Sequence, residues 1–299
     1  MPDGLRHFLN PQEMHSLGRL MLNSRYAVDG NLAGAHRSPH RGSSSEFADH
    51  RQYIHGDDPK HIDWKVYGRT DRYFIRRYED ETNLRVYLVV DRSASMKYTS
   101  REETKYHYAC RLAAAIGYVV IKARDSVGLC LYSDKIDSQM DSANSFAHLD
   151  NVMKTLQVSE PASTTETART LHQLAESIRK RALVVVFSDL LDDEERIVRA
   201  LAHFRKQHHD VVVFHTLDPA ELDFTYEKNT VFEDLETQER LTCDPKEIAP
   251  AYAEVFGEFL ACYQKACREM QIDYRIIRTD QPLDTTVRAY LEERRRCSK

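Results

Sequence analysis

The sequence contains few cysteines, and none of them has the spacing of a metal-binding or disulfide-rich module. There are six cysteines in 299 residues, with no C-x-x-C pair among them. A zinc finger or a small disulfide-stapled domain requires closely spaced, paired cysteines. The pattern therefore excludes both classes and predicts reduced thiols at Cys110, Cys130, Cys243, Cys262, Cys267 and Cys297.

Long apolar runs are also missing. The longest, residues 112–121, is far below the roughly 20 residues that span a bilayer. Residues 1–12 contain no apolar core of a secretory signal. We therefore expect a cytoplasmic protein without membrane insertion.

The chain has no excess of positive charge. Its formal net charge is -5 and its calculated isoelectric point is 6.3, whereas nucleic-acid-binding domains usually carry a basic surface. We therefore expect no nucleic-acid partner. The basic residues 294–296 are interpreted as a solvated, frayed chain end.

Common signatures of hydrolases and nucleotide-binding enzymes are absent. No P-loop occurs in the sequence. Ser93 and Ser95 stand neither in a G-x-S-x-G elbow nor three residues before a lysine, which are the contexts that activate a serine nucleophile. The sequence therefore predicts that the chain is not an enzyme.

Apolar, β-branched segments alternate with helix-like segments through most of the chain. This alternation predicts an α/β fold, Rossmann-like, in which helices cover both faces of a mostly parallel sheet. An N-terminal helical and irregular extension precedes it, and residues 230–234 and 240–243 predict a small inserted β-hairpin. The predicted strands are residues 84–90, 126–132, 183–187, 211–216 and 273–279, and the main predicted helices are residues 103–124, 146–157, 167–181, 194–207, 250–270 and 285–295.

Two further patterns predict packing. Apolar residues recur at helical spacing from Tyr252 to Cys267, which is typical of a helix face buried in the core. The segment of residues 46–83 mixes aromatic and charged residues, and we expect it to lie against the α/β body with Trp64, Tyr67 and Phe74 as anchors.

The most informative motif follows the first strand, where Asp91, Ser93 and Ser95 alternate with other residues. In an extended segment, residues two apart project to the same side, so these three side chains converge. One carboxylate and two hydroxyls are ligand types that suit Mg²⁺ or Mn²⁺. Alternatively, Asp91 and Ser93 only cap the next helix. The triplet alone leaves both interpretations open.

A second predicted strand also ends in a carboxylate, at Ser188 and Asp189, and the loop of residues 161–166 carries two threonines. Together with the D-x-S-x-S triplet, these residues closely resemble the metal-ion-dependent adhesion site of von Willebrand factor type A domains. The resemblance implies a von Willebrand factor A-like fold and a Mg²⁺ or Mn²⁺ site. Its ligands, carried over by motif, would be Asp91, Ser93, Ser95, Thr165 and Asp189, with Thr165 preferred to Thr164 because the family's threonine is followed by a polar residue and then a helix.

Residues 46–83 resemble the signature of a narrower bacterial family, catalogued as domain of unknown function 58, whose members are often encoded beside MoxR-type AAA+ ATPases. The resemblance implies three regions: an N-terminal helix and linker (1–45), a signature segment (46–83) and a von Willebrand factor A-like domain (84–299). The signature residues to which we assign no chemical role are Arg51, Tyr53, Gly56, Asp57, Asp63 and Trp64.

These resemblances imply a non-catalytic, metal-dependent protein-binding module, an adaptor or co-chaperone for a MoxR-type AAA+ ATPase or its client. A partner's carboxylate would complete the coordination of the cation. One alternative is a scaffold with a vacant metal site that binds partners through the signature segment. A Mg²⁺-dependent hydrolase is a further alternative, although haloacid-dehalogenase-like phosphatases carry a second aspartate where this sequence has Ser93.

Overall fold

The structure is a computed structural model that describes residues 3–18, 20, 36–37, 46–54, 57, 59–79, 81–82, 84–161, 166–226, 230–233 and 240–297. The chain divides into two compact units. Residues 1–25 and 85–299 form the larger unit, and residues 26–84 form the smaller one.

The α-helices of the described residues range from single turns to a helix of 25 residues. They are α1 (Asp3–Phe8), α2 (Pro11–Leu17), α3 (Trp64–Thr70), α4 (Lys105–Lys122), α5 (Phe146–Val158), α6 (Thr167–Ser177), α7 (Glu194–Lys206), α8 (Pro219–Asp223), α9 (Pro245–Glu269) and α10 (Leu283–Cys297), with short 3₁₀ turns at Pro59–His61 and Ala94–Lys97.

The strands fall into one large sheet and three two-stranded ladders. They are β1 (His36–Arg37), β2 (Glu46–Gln52), β3 (Phe74–Glu79), β4 (Glu81–Thr82), β5 (Arg85–Asp91), β6 (Ser126–Tyr132), β7 (Ile136–Ala143), β8 (Leu183–Ser188), β9 (Asp210–Leu217), β10 (Thr230–Glu233), β11 (Arg240–Cys243) and β12 (Asp273–Arg278).

The larger unit is built on a six-stranded sheet with the order β12-β9-β8-β5-β6-β7. All neighbouring pairs are parallel except β6 and β7, which makes β7 an antiparallel edge. The prediction of an α/β fold with a mostly parallel sheet is therefore confirmed. The inserted hairpin is also present, because β10 and β11 pair antiparallel.

Helices cover both faces of this sheet. On one face, Leu171 of α6, Leu201 of α7 and Tyr263 of α9 belong to a buried cluster with Val89 and Val186 of the sheet. This face therefore buries the apolar side chains of the strands under helices, as expected for parallel strands covered on both sides.

The opposite face is covered by α4, α5 and α10. A Cβ atom added at Gly117 of α4 would lie 3.5 Å from Leu88 of β5 and 3.0 Å from Leu149 of α5. The Tyr290 ring of α10 lies 5.0 Å from that of Phe214 in β9. None of the helices that the structure describes combines the length and the apolar character needed to cross a membrane.

The smaller unit contains the antiparallel pairs β2–β3 and β1–β4 together with α3. Asp63 begins α3 by accepting the backbone N–H of Lys65 at 2.9 Å, as an N-cap residue does. The Tyr67 and Tyr73 rings stack at 4.6 Å. Trp64 is 60% exposed, and its expected role as an anchor stays a prediction.

The apolar stripe on α9 is buried in its second half alone. Tyr263 and Cys267 are buried, but Val255 is 66% exposed. In the first half, the Tyr252 ring packs 4.3 Å from the ring of Phe224. Phe224 belongs to residues 218–243, the insertion between β9 and α9, and not to the core of the sheet. The prediction of a core stripe is therefore wrong for this half, since spacing alone does not tell which surface a helix face meets.

The interpretation of residues 294–296 as a solvated end is wrong for Arg294. This side chain is 2% exposed and lies between two carboxylates, Asp210 and Asp273, which begin β9 and β12. Its Nη1 donates to Asp273 Oδ2 at 2.5 Å. The buried charge is tolerated because both forks of the guanidinium have carboxylate partners.

We expect a side chain at Gly128 of β6 to destabilise the fold, because a Cβ there would lie 2.8 Å from the Tyr87 ring and 2.8 Å from the backbone oxygen of Met140. We predict that Gly128→Ala lowers the free energy of unfolding by about 1–3 kcal/mol, as overpacking does, measured by urea denaturation. Gly257→Ala is the control. Nothing lies within 4 Å of its added methyl group in α9, so it should raise stability by about 1 kcal/mol. A neutral Gly128→Ala would contradict the packing described.

Candidate metal centre

The carboxyl ends of β5 and β8 lie side by side, because Val90 pairs with Phe187 in a parallel ladder. Asp91 is the last residue of β5, and its side chain is completely buried. Its Oδ2 accepts hydrogen bonds from the Ser188 hydroxyl at 2.6 Å and from the Tyr132 hydroxyl at 3.3 Å. The strand end therefore fixes the Asp91 carboxyl at the edge where α/β sheets bind ligands.

The two serines of the triplet face one another. Ser93 is buried, and its hydroxyl oxygen lies 3.0 Å from that of Ser95. The Ser93 backbone N–H donates to Asp91 Oδ1 at 2.8 Å. Ser93 precedes the turn Ala94–Lys97, but its side chain makes no capping hydrogen bond to it. Asp91, Ser93 and Ser95 are thus brought together, and the Ser93 hydroxyl does not serve as a helix cap.

Asp189 follows β8 and is 1% exposed. The Lys105 ammonium, at the start of α4, donates to Asp189 Oδ2 at 2.7 Å and to Glu221 Oε1 at 2.7 Å. Burial alone would lower the pKa of Lys105, but the two carboxylates outweigh it and raise that pKa. Lys105 is therefore a buried ammonium ion. The sequence-based prediction of the site missed both Lys105 and Glu221.

The carboxylates of this edge outnumber the cations. Burial, together with the charge of Asp189, raises the pKa of Asp91 to about 7. Burial also raises the pKa of Glu221, against the opposing effect of Lys105. When Asp91, Asp189 and Glu221 are all ionised, one ammonium faces three carboxylates, which leaves two negative charges in a buried cluster. One divalent cation would neutralise them.

The oxygen geometry also fits a divalent cation. Mg²⁺ binds oxygens at 2.0–2.1 Å in octahedral geometry, so adjacent ligand oxygens lie about 2.9–3.0 Å apart. The Ser93 and Ser95 hydroxyls, which hydrogen-bond to each other, have a separation of 3.0 Å. Within the described residues, no three His, Cys, Asp or Glu side chains are grouped so that they could hold a metal ion. A cation at this edge would therefore depend on hydroxyl oxygens beside Asp91 and Asp189.

Thr165 and Thr164 lie outside the described residues. The Arg92 Nε donates to the backbone oxygen of Glu160 at 3.0 Å. The backbone N–H of Ala168 donates to Asp192 Oδ2 at 3.1 Å. These bonds connect Glu160 and Ala168 to residues that follow β5 and β8. The role of Thr165 stays a prediction.

His215 supports the end of β8 from the neighbouring strand β9. Its Nε2 lies 2.8 Å from the backbone oxygen of Asp189, which can only accept, so Nε2 carries the proton. Its Nδ1 then accepts from the Tyr274 hydroxyl at 2.6 Å. Burial lowers the pKa of His215 to about 4, so the imidazole is neutral at physiological pH and positions Asp189 without adding charge.

Glu221 connects this edge to the insertion. Helix α8 begins at Asp218, whose backbone N–H donates to Glu221 Oε2 at 2.7 Å in a capping box. The Tyr252 hydroxyl of α9 donates to the Glu221 backbone oxygen at 2.9 Å. Asp218 is itself satisfied by the Ser100 hydroxyl and backbone N–H groups. The Glu221 carboxylate, which binds Lys105, is therefore positioned by the capping hydrogen bond from the Asp218 backbone N–H.

The signature residues of the smaller unit make local structural contacts. The Arg51 guanidinium contacts both oxygens of Asp57 at 2.7 Å, and Asp57 also accepts the Ile54 backbone N–H at 3.0 Å. The Tyr53 N–H donates to the Tyr73 oxygen at 2.9 Å. Gly56 lies outside the described residues. These contacts hold the turn after β2 and, with Asp63 as N-cap, the start of α3.

Comparison with known families identifies the chain. The family described as protein of unknown function DUF58 matches residues 49–256, which is more than half of the sequence. The chain belongs to the DUF58 family. The match covers the signature residues of the smaller unit and, in the larger unit, Asp91, Lys105, Asp189 and Glu221.

Relatives of this DUF58 protein add no described activity. Uncharacterized proteins of Mycobacterium bovis and Mycobacterium tuberculosis are 27% identical over 233 residues, covering 76% of this chain and 72% of theirs. Crystal structures of an aerotolerance-related membrane protein from Bacteroides fragilis and of BatB from Bacteroides thetaiotaomicron give TM-scores of 0.48, at 14% and 12% identity. Each covers 72% of this chain and 100% of the other. At these TM-scores they carry no argument about the site.

The pKa of His215 predicts a pH dependence of stability. An unfolded histidine titrates near 6.5, whereas the native one titrates at about 4. Between these values the unfolded state binds the extra proton, so stability is lost as the pH falls through this window. We predict that His215→Gln loses about 2 kcal/mol less than the wild type between about pH 7 and pH 5, measured by urea denaturation.

The matched control for this prediction is His15→Gln, an exposed position in α2, which should follow the wild type. Equal losses in the wild type and His215→Gln would contradict a neutral, buried His215.

Proposed function

We propose that this DUF58 protein is a non-catalytic, metal-dependent protein-binding module of the von Willebrand factor A type. Its partner would be a MoxR-type AAA+ ATPase or a client of that ATPase, for which this chain acts as an adaptor or co-chaperone. The cytoplasmic location expected from the sequence is part of the same proposal.

One observation carries the proposal. At the carboxyl edge of β5 and β8, Asp91 and two hydroxyls 3.0 Å apart lie in a cluster with Asp189, Glu221 and a single ammonium, so two negative charges are uncompensated when all three carboxylates are ionised. A structural cap would need neither the paired hydroxyls nor the uncompensated charge. Mg²⁺ or Mn²⁺ matches both the hard oxygen donors and the missing charge.

The residues of this chain would hold the cation and orient it. Asp91, Ser93 and Ser95 would contribute oxygens from one loop, while Asp189 would contribute from the next, and Thr165 is the expected contribution from the threonine loop. Bound Mg²⁺ would offer a coordination position to a carboxylate of the partner. Ser188 and Tyr132 hold Asp91 Oδ2 by hydrogen bonds, so this carboxylate is positioned before any partner arrives.

A catalytic role receives less support. A phosphatase that used Asp91 as nucleophile would need an acid two residues later, and that position is Ser93, whose hydroxyl pairs with Ser95. The contacts of Ser93 described above include no base that would activate it as a nucleophile. The site is therefore better suited to binding than to proton transfer.

A second candidate is partner binding through the signature segment. Trp64 is 60% exposed and Tyr73 46%, together with Ile54 at 62%, and exposed aromatic residues are enriched at protein interfaces. In this alternative the partner would bind the smaller unit, and Asp91 would have no part in recognition.

The test compares the affinity of variants for a MoxR-type AAA+ ATPase of the same organism, by calorimetry in a constant Mg²⁺ concentration. Asp91→Asn removes the charge and keeps an oxygen to accept the Ser93 N–H. We predict at least tenfold weaker binding, about 1.4 kcal/mol. Varying the protein, not the Mg²⁺ concentration, avoids disturbing the ATPase, which needs Mg²⁺ for nucleotide binding.

The matched control is Asp134→Asn, which neutralises an exposed carboxylate just beyond β6 and should leave the affinity unchanged. Trp64→Ala tests the second candidate function, partner binding through the signature segment. Loss of binding in Trp64→Ala with full binding in Asp91→Asn would contradict the metal-dependent proposal and support recognition by the signature segment.

A further inference from the structure

Lys105 occupies a position that helix electrostatics disfavour. It is the first residue of α4, an 18-residue helix, and the N-terminus of a helix carries partial positive charge that repels a cation. Its side chain is also 1% exposed, and lysine is rarely buried unless it is paired. The position is explained by its carboxylate partners, not by helix formation.

The ammonium is held by two carboxylates from different parts of the fold. Asp189 comes from the loop after β8, and Glu221 comes from α8, each at 2.7 Å from Nζ. The Tyr98 ring centroid lies 5.8 Å from Nζ. Lys105 thus takes one oxygen of a predicted metal ligand, Asp189, while a second anchor, Glu221, belongs to no predicted ligand set.

We propose that Lys105 is a tethered internal cation that competes with the divalent cation for Asp189, and that Glu221 retains the ammonium when Asp189 turns to the metal. This inference rests on the proposed function, because it concerns the affinity of the same site. It assigns a regulatory role to a lysine and a glutamate outside the predicted ligands.

Competition follows from charge and from geometry. Two cations that share a buried carboxylate repel each other strongly because the surroundings screen them poorly. Without Lys105, both oxygens of Asp189 would be free of the ammonium and the cluster would be more negative, so the site would bind a divalent cation more tightly. Without Glu221, the ammonium would depend on Asp189 alone and would leave it less readily. The two substitutions should therefore change metal affinity in opposite directions.

The experiment measures Mn²⁺ binding to the full chain by electron paramagnetic resonance, without any partner protein. We expect Lys105→Met, which keeps an apolar stem of similar length, to bind Mn²⁺ at least tenfold more tightly than the wild type. We expect Glu221→Gln to bind it at least threefold more weakly. Lys97→Met removes a charge from an exposed position two residues after Ser95 and should stay within twofold of the wild type.

The double variant Lys105→Met/Glu221→Gln distinguishes direct competition for Asp189 from an electrostatic effect of the net charge of the cluster. It leaves the net charge of the cluster unchanged, so a field effect alone predicts the wild-type affinity. Competition predicts that the double variant still binds at least fivefold more tightly, because no ammonium contacts Asp189. It also removes both partners of one ion pair, which is better tolerated than removing one, and circular dichroism verifies folding.

The outcomes distinguish this inference from the proposed function. Mn²⁺ binding in the wild type with no tighter binding in the double variant overturns the competition, whatever Lys105→Met alone does, and leaves the metal-binding module intact. Binding only when Lys105 is absent supports the competition in its strongest form and contradicts a metal-dependent function of the wild-type chain. No binding in any variant overturns both.

Discussion

The balance of charge at the carboxyl edge of β5 and β8 is the constraint on which the candidate site depends. The buried carboxylates Asp91 and Asp189 and the partly exposed Glu221 share one buried ammonium, Lys105, at this edge. Burying a charge is costly unless it is paired. The cluster is therefore stable only if a carboxylate stays protonated, as the raised pKa of Asp91 indicates for the metal-free protein, or if a further cation enters.

The rest of the larger unit positions this cluster. Parallel pairing of β5 with β8 places Asp91 beside Ser188, and β9 supplies His215, which holds the backbone of Asp189 without adding charge. The insertion contributes through Glu221, fixed by the cap of α8. Elements far apart in sequence thus meet at one strand edge, which is the usual place for ligands in open α/β sheets.

The sequence predicted the sheet and the meeting of Asp91 with Ser93 and Ser95, because apolar periodicity and alternation are local properties. It did not predict the roles of Lys105 and Arg294. Both are basic residues that local patterns assign to solvent, and their carboxylate partners lie up to 116 residues away in the chain. One sequence feature could have indicated that Lys105 has acidic partners: it is a basic residue at a helix start, where acidic residues are favoured. The predicted burial of the α9 stripe was wrong for its first half, because periodicity does not identify the surface that a helix covers.

The central claim is that the oxygens of Asp91, Ser93 and Ser95 bind a divalent cation. Anomalous scattering from crystals grown with Mn²⁺ tests it most directly, because it locates the ion without a partner or an assay. The account predicts a single strong anomalous peak within about 2.5 Å of the Ser93 and Ser95 hydroxyl oxygens. A well-ordered site at saturating Mn²⁺ with no peak there, and with Lys105 still bound to Asp189, would contradict it.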